Sequence, residues 1–173
     1  MSSLIVAPYS AINAVVRRHR PSHMLSLMVD PYVETPKAIR PENHLRVEIH
    51  DVSEPTAGAV APSSDHIAGL LAFTKDWDRS APLLVHCWAG ISRSTAAAYI
   101  LLCDLHGPGH EDVIAKSLRY RAPHAQPNRL MVRHADALLR RGGRMTEAVE
   151  AIGNGRIVWE GEIVELPLSL DEL

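Results

Sequence analysis

The sequence predicts a single α/β domain with a largely parallel central sheet flanked by helices, and three observations carry that prediction. Short β-forming runs alternate with helical stretches along the chain, the pattern that lays parallel strands in one sheet and covers its faces with helices. The run Leu83, Leu84, Val85 is wholly apolar, as in a strand buried on both faces. The 173 residues, 46% of them apolar and 22% charged, suffice for one sizeable core and would be cramped as two domains. The same composition sets aside disordered, collagenous and fibrous classes.

The elements follow in order. Leu4 to Ala7 reads as a first strand, and Ala11 to His19 as a helix stopped by Pro21, because a proline disfavours helical geometry in the residue before it. His23 to Val29 alternates apolar and polar residues and makes a second strand, followed after a proline-rich loop by a third, Leu45 to Ile49. Glu54 to Ser64 holds two prolines and a glycine and is expected to be irregular. Asp65 to Trp77 sets Ile67, Leu70, Leu71 and Phe73 mainly on one helical face. From Thr95 to Leu105 only Thr95 and Asp104 are polar, so this helix belongs at the centre of the fold, with Gly107-Pro108-Gly109 ending it. Further helices are expected over Glu111 to Tyr120, Asn128 to Arg141 and Met145 to Ile152, and a hairpin over Ile157 to Val164 around Glu160-Gly161. The organisation expected is an α/β unit over 1–153 and an acidic C-terminal extension over 154–173.

Charge narrows the partners. Eighteen Lys and Arg against twenty Asp and Glu give a formal net charge of -2, which argues against a surface built throughout for nucleic acid or an anionic membrane. Two cysteines are too few for a disulfide scaffold, and no stretch has the length and apolarity of a bilayer span or a signal peptide, so a cytoplasmic protein is expected. Between Val113 and Met145 stand Lys116 and seven arginines against Asp136 alone, whereas seven acidic residues after Thr146 face only Arg156. Such a division reads either as two solvated faces or as an acidic tail lying on a basic face near an anion site.

The chemistry concentrates in His86-Cys87-Trp88-Ala89-Gly90-Ile91-Ser92-Arg93-Ser94, set between the buried strand and the central helix. A loop wrapped between a strand end and a helix start points successive backbone N–H groups into one concavity, where the helix dipole also favours negative charge. Gly90 permits backbone geometry closed to other residues, and the planar fork of Arg93 matches two phosphate oxygens. Those amides and the guanidinium stabilise a thiolate at Cys87, making it a nucleophile, and the Ser94 hydroxyl is expected to donate to the sulfur as it departs.

This segment resembles the HCxxGxxRS signature of the cysteine-dependent protein tyrosine and dual-specificity phosphatases at every defined position, and the order of elements from Leu45 to Asn128 is similar to a compact dual-specificity phosphatase domain. The resemblance implies that Cys87 accepts the phosphoryl group, that Arg93 and the amides of Trp88, Ala89, Gly90, Ile91 and Ser92 bind phosphate, that Ser94 assists breakdown of the intermediate, and that His86 orients the loop. Pro127-Asn128 sits where such domains often carry a Pro-Asn pair opening a helix. It further implies a general acid on a loop some way before the cysteine. Asp51, 36 positions upstream of Cys87 at the end of a strand, is the candidate, with Glu54 and Asp65 as rivals and a turn or capping aspartate as the plain alternative.

The expected activity is metal-independent hydrolysis of phosphomonoesters through a phosphocysteine, on protein phosphotyrosine with or without phosphoserine and phosphothreonine. A catalytically silent module that holds phosphorylated partners in the same cradle is the alternative. Sulfur or arsenate chemistry fits the His86, Gly90, Ser94 and Asp51 frame less well. No cofactor or metal is called for, since the ten histidines show no metal-ligand spacing with carboxylates or cysteines. No stable nucleic-acid partner is expected, there being no clear aromatic stacking platform. Trp88 reads as a wall of the loop or as a packing residue, and Cys103 as a small core residue. The sequence leaves the oligomeric state open.

Overall fold

The computed structural model describes residues 3–30 and 33–173. Its centre is a five-stranded sheet in the order β3-β2-β4-β1-β5, formed by β1 (Ser3–Pro8), β2 (His23–Leu27), β3 (His44–Val47), β4 (Leu83–Cys87) and β5 (Val164–Pro167). The first four are parallel and β5 runs antiparallel along β1. Because side chains alternate along a strand, Leu4 and Val6 face one layer of core while Ile5 and Ala7 face the other. The second layer is closed by α1 (Ile12–His19), which buries Ile12 and Val15. The first is closed by α2 (Ser64–Lys75), α3 (Arg93–His106), α4 (Glu111–Arg121), α5 (Arg129–Leu138) and α6 (Arg144–Ala151).

The central position of α3 follows from its composition: every residue from Arg93 to Cys103 is buried. Burial pushes the Cys103 thiol up to about 12, consistent with a core residue. Parallel connections leave the carboxyl ends of β2, β3 and β4 on one edge, the edge where α/β sheets gather ligand sites. Among the described residues no helix is long and apolar enough to cross a membrane.

Three expectations give way to long-range contacts. The hairpin over Ile157 to Val164 is absent: the chain is irregular through Ile163, and Val164–Pro167 pairs with β1, Val6 opposite Val164 and Ser3 opposite Pro167. An isolated hairpin is marginal, whereas a strand laid on an existing edge gains a full ladder and buries Val164 and Leu166. The helix expected to reach Arg141 stops at Leu138, since the Asp136 carboxylate turns to accept the amides of Gly143 at 2.7 Å and Met145 at 2.8 Å and so opens α6. Of the two readings of the charge division, the tail on the basic face finds no support in ion pairs: among the described residues no carboxylate after Thr146 pairs with an arginine between Arg119 and Arg144. Arg141 and Arg144 pair with buried Glu111, and Arg119 donates to the carbonyls of Pro123, Ala125 and Gly153. Arg121 donates to the backbone carbonyl of Glu172, and Glu162 pairs with Arg156 of its own segment.

Candidate active site

The signature loop joins the end of β4 to the start of α3, and its shape is set by how its carbonyls are held. The Trp88 carbonyl accepts Tyr9 N–H at 3.0 Å, that of Ala89 accepts Gly161 N–H at 2.8 Å and that of Ile91 accepts Gln126 N–H at 2.9 Å. The Ser92 carbonyl accepts the amides of Ala96 and Asn128. In a trans peptide the next N–H points opposite to the carbonyl, so the amides of Ala89, Gly90, Ser92 and Arg93 turn to the other side, toward the cleft. Gly90 makes the wrap possible: it has φ +70°, and a Cβ there would stand 2.7 Å from Pro8 N and 2.9 Å from Ala7 C of β1.

Cys87, last residue of β4 and paired with Pro8, lies 1% exposed at the base of this concavity, with its Sγ 3.2 Å from Ser94 Oγ in the first turn of α3. Arg93 opens that helix and is nearly buried. Its Nη1 donates to the Ile49 carbonyl at 2.9 Å, which orients the guanidinium from the segment leading out of β3. Trp88 stays 61% exposed while stacking on Tyr9 at 5.8 Å and 9°, so it both packs and walls the site.

Asp51 reaches the same cleft from the loop after β3. Its Oδ1 accepts Ser92 Oγ at 2.6 Å and Asn128 Nδ2 at 2.9 Å, while Oδ2 stands 3.9 Å from Arg93 Nε. Asn128 gathers three pieces. Its Oδ1 caps α5 through Met131 N–H, its amide group also donates to the Val52 carbonyl, and its backbone N–H holds Ser92. The resulting open cleft of about 760 Å³ is lined by Asp51, Cys87, Trp88, Ser92, Arg93 and Asn128 among others. The rivals of Asp51 do not line it. Glu54 is exposed on the loop, and Asp65 is exposed in the first turn of α2, whose cap is Ser63.

Beneath the loop His86 is wholly buried, and burial lowers its pKa to about 4. Its Nε2 lies 2.5 Å from Ser26 Oγ on β2, and its Nδ1 contacts the Cys87 carbonyl at 3.4 Å. Ser26 and His44, which complete this buried cluster, carry no signal in the sequence, and Asn128 shows only as half of a Pro-Asn pair.

No family model matches the chain, and no curated protein sequence does. Solved structures do. DUSP15 superimposes with a TM-score of 0.64 at 18% identity, over 87% of this chain and 94% of that one. The PTP-2 phosphatase of Cydia pomonella gives 0.58 at 18% identity over 94% and 92%, and human DUSP28 gives 0.60 at 18% identity over 86% and 94%. With the signature loop spanning the end of β4 and the start of α3, the chain has the fold of the dual-specificity and protein tyrosine phosphatases.

Proposed function

We propose that the protein is a metal-independent phosphomonoester hydrolase working through a phosphocysteine at Cys87. The observation that carries this reading is that Asp51 is tied through Ser92 and Asn128 to the very loop that holds Cys87 and Arg93, so that a thiol, a guanidinium and a carboxyl group line one cleft. The Cys87 thiolate attacks phosphorus as the bond to the leaving oxygen breaks, and Asp51 delivers a proton to that oxygen. Both hydrogen bonds that orient Asp51 fall on Oδ1, which leaves Oδ2 to carry the proton. Water then attacks the phosphocysteine, Asp51 takes the water proton, and Ser94 Oγ–H donates to the departing sulfur. The cleft-facing amides and Arg93 offset the charge on the phosphoryl oxygens throughout.

Protein phosphotyrosine, with or without phosphoserine and phosphothreonine, is the substrate class this reading favours. An exposed Trp88 beside the nucleophile can lie against an aromatic phosphoester, and the loop interior from Trp88 to Ser92 carries no lysine. Steady-state turnover of 4-nitrophenyl phosphate is expected to persist in EDTA and to be inhibited competitively by vanadate. Turnover restored only by a divalent metal defeats the mechanism. Binding of vanadate without any turnover supports instead a silent module that holds phosphorylated partners, and the human tyrosine phosphatase-like serine/threonine/tyrosine-interacting protein is a solved structure of this fold, with a TM-score of 0.60 at 18% identity over 79% and 95% of the two chains.

A further inference from the structure

A continuous chain of hydrogen bonds runs from the outer edge of the sheet to the backbone of the nucleophile. Arg46 on β3 donates from Nη2 to Thr35 Oγ1 at 2.9 Å, and Thr35 Oγ1 lies 2.7 Å from His44 Nδ1. His44 Nε2 lies 2.7 Å from Ser26 Oγ, which in turn lies 2.5 Å from His86 Nε2, and His86 Nδ1 faces the Cys87 carbonyl at 3.4 Å. Both imidazoles are buried.

The buried carbonyl end of this chain fixes the direction of the protons within it, and the guanidinium end is compatible with that direction. A guanidinium can only donate and a carbonyl can only accept. With Thr35 Oγ1 accepting from Arg46, the Thr35 hydroxyl donates to His44 Nδ1. His44 then carries its proton on Nε2 and gives it to Ser26 Oγ, the Ser26 hydroxyl donates to His86 Nε2, and His86 carries its proton on Nδ1, toward Cys87 O. Every donor has an acceptor in this order. In the reverse order His86 would turn a lone pair on the carbonyl of the buried Cys87, whereas the half-exposed Thr35 could give its hydrogen to solvent in either order. Two acceptors facing one another in so buried a place are costly. Both imidazoles have a pKa lowered to about 4, chiefly by burial, which keeps them neutral as the chain requires.

We propose that Ser26 and His44 are positioning residues that hold His86 as its Nδ1–H tautomer and thereby fix the Cys87–Trp88 peptide. By the trans geometry of that peptide, a Cys87 carbonyl held by His86 sends the Trp88 N–H the opposite way. The relay thus orients the first amide of the loop, a task that Tyr9, Gly161 and Gln126 perform for the carbonyls that follow. The turnover part of this inference rests on the phosphocysteine reading; the tautomers and the reactivity of Cys87 do not.

Long-range ¹⁵N spectra of the histidine rings in the full, unsubstituted chain at neutral pH test it first. The expected pattern is His86 protonated at Nδ1 with Nε2 bare, and His44 protonated at Nε2 with Nδ1 bare. His86 protonated at Nε2 overturns the proposal, whether or not the chain hydrolyses phosphate. In Ser26→Ala the His86 pattern should change, and both the iodoacetate alkylation rate of Cys87 and kcat should fall roughly 10- to 100-fold with KM little altered, as small misplacements of reacting groups do. Ser26→Thr keeps the hydroxyl and should retain the pattern and the rates. Unchanged alkylation in a folded Ser26→Ala overturns the positioning role. The spectrum of the unsubstituted chain decides the matter where that variant does not fold.

Discussion

Cys87→Ser removes turnover of an aryl phosphate by roughly 10⁴- to 10⁶-fold, the scale seen when a nucleophile that acts with its neighbours as a unit is lost. Serine fits the space, since Cys87 is buried beside Ser94 and a hydroxyl is smaller than a thiol, so the fold and the oxyanion cradle are expected to survive. What disappears is the more nucleophilic sulfur atom. Arg93→Lys fails for a different reason. The guanidinium is held by the Ile49 carbonyl through one nitrogen, leaving the rest of its fork for phosphate, and a lysine has a single ammonium that cannot serve both. A loss of about 10²–10³ in kcat/KM is expected, comparable to removing one preorganised donor from an oxyanion site. Steady-state kinetics, with circular dichroism to confirm folding, check both.

Asp51→Asn should lower kcat by about 10²–10⁴, the usual contribution of a positioned acid, while phosphate binding stays nearly intact. The substitution is clean because the amide keeps an oxygen for Ser92 Oγ and Asn128 Nδ2, so the loop around it need not move. Only the transferable proton is lost. The defect should be largest for alkyl-like leaving groups and smallest for activated aryl phosphates, whose oxygen needs little protonation to depart. The basic limb of the kcat/KM profile against pH should flatten as well. Near-normal rates on a poor leaving group, together with a defect in Glu54→Gln or Asp65→Asn, would move the acid to one of those residues and leave Cys87 and Arg93 where they are.

What the sequence discloses and what it hides divide along the reach of the contacts. The strand, loop and helix from Leu83 to Leu105 are legible because local composition decides them: an apolar run, a glycine that must wrap, and a helix apolar on every side. Asp51 is legible because it follows a strand-forming run and precedes an irregular loop, although the strand itself stops at Val47. Val164–Pro167 is not, since its partner β1 lies at the far end of the chain and nothing local separates an edge strand from a hairpin arm. The early end of α5 depends on Asp136 choosing the amides of the next helix. Ser26, 60 residues from the His86 it contacts, reads in sequence only as the polar member of an alternating strand. The arginine-rich stretch looks like a basic face until Glu111 and a set of backbone carbonyls are seen to absorb much of it.

The proposed phosphocysteine is open to direct observation. Ser94→Ala removes the hydroxyl 3.2 Å from Cys87 Sγ, to which the proposed mechanism gives the task of assisting the departing sulfur, so the intermediate should break down more slowly than it forms. Rapid quenching of that variant during turnover of an aryl phosphate, followed by mass spectrometry of its peptides, should find the phosphoryl group on the peptide bearing Cys87, accumulating in step with a burst of released phenol. A phosphoryl group on any other side chain, or steady release of phenol with Cys87 never modified, would contradict the mechanism.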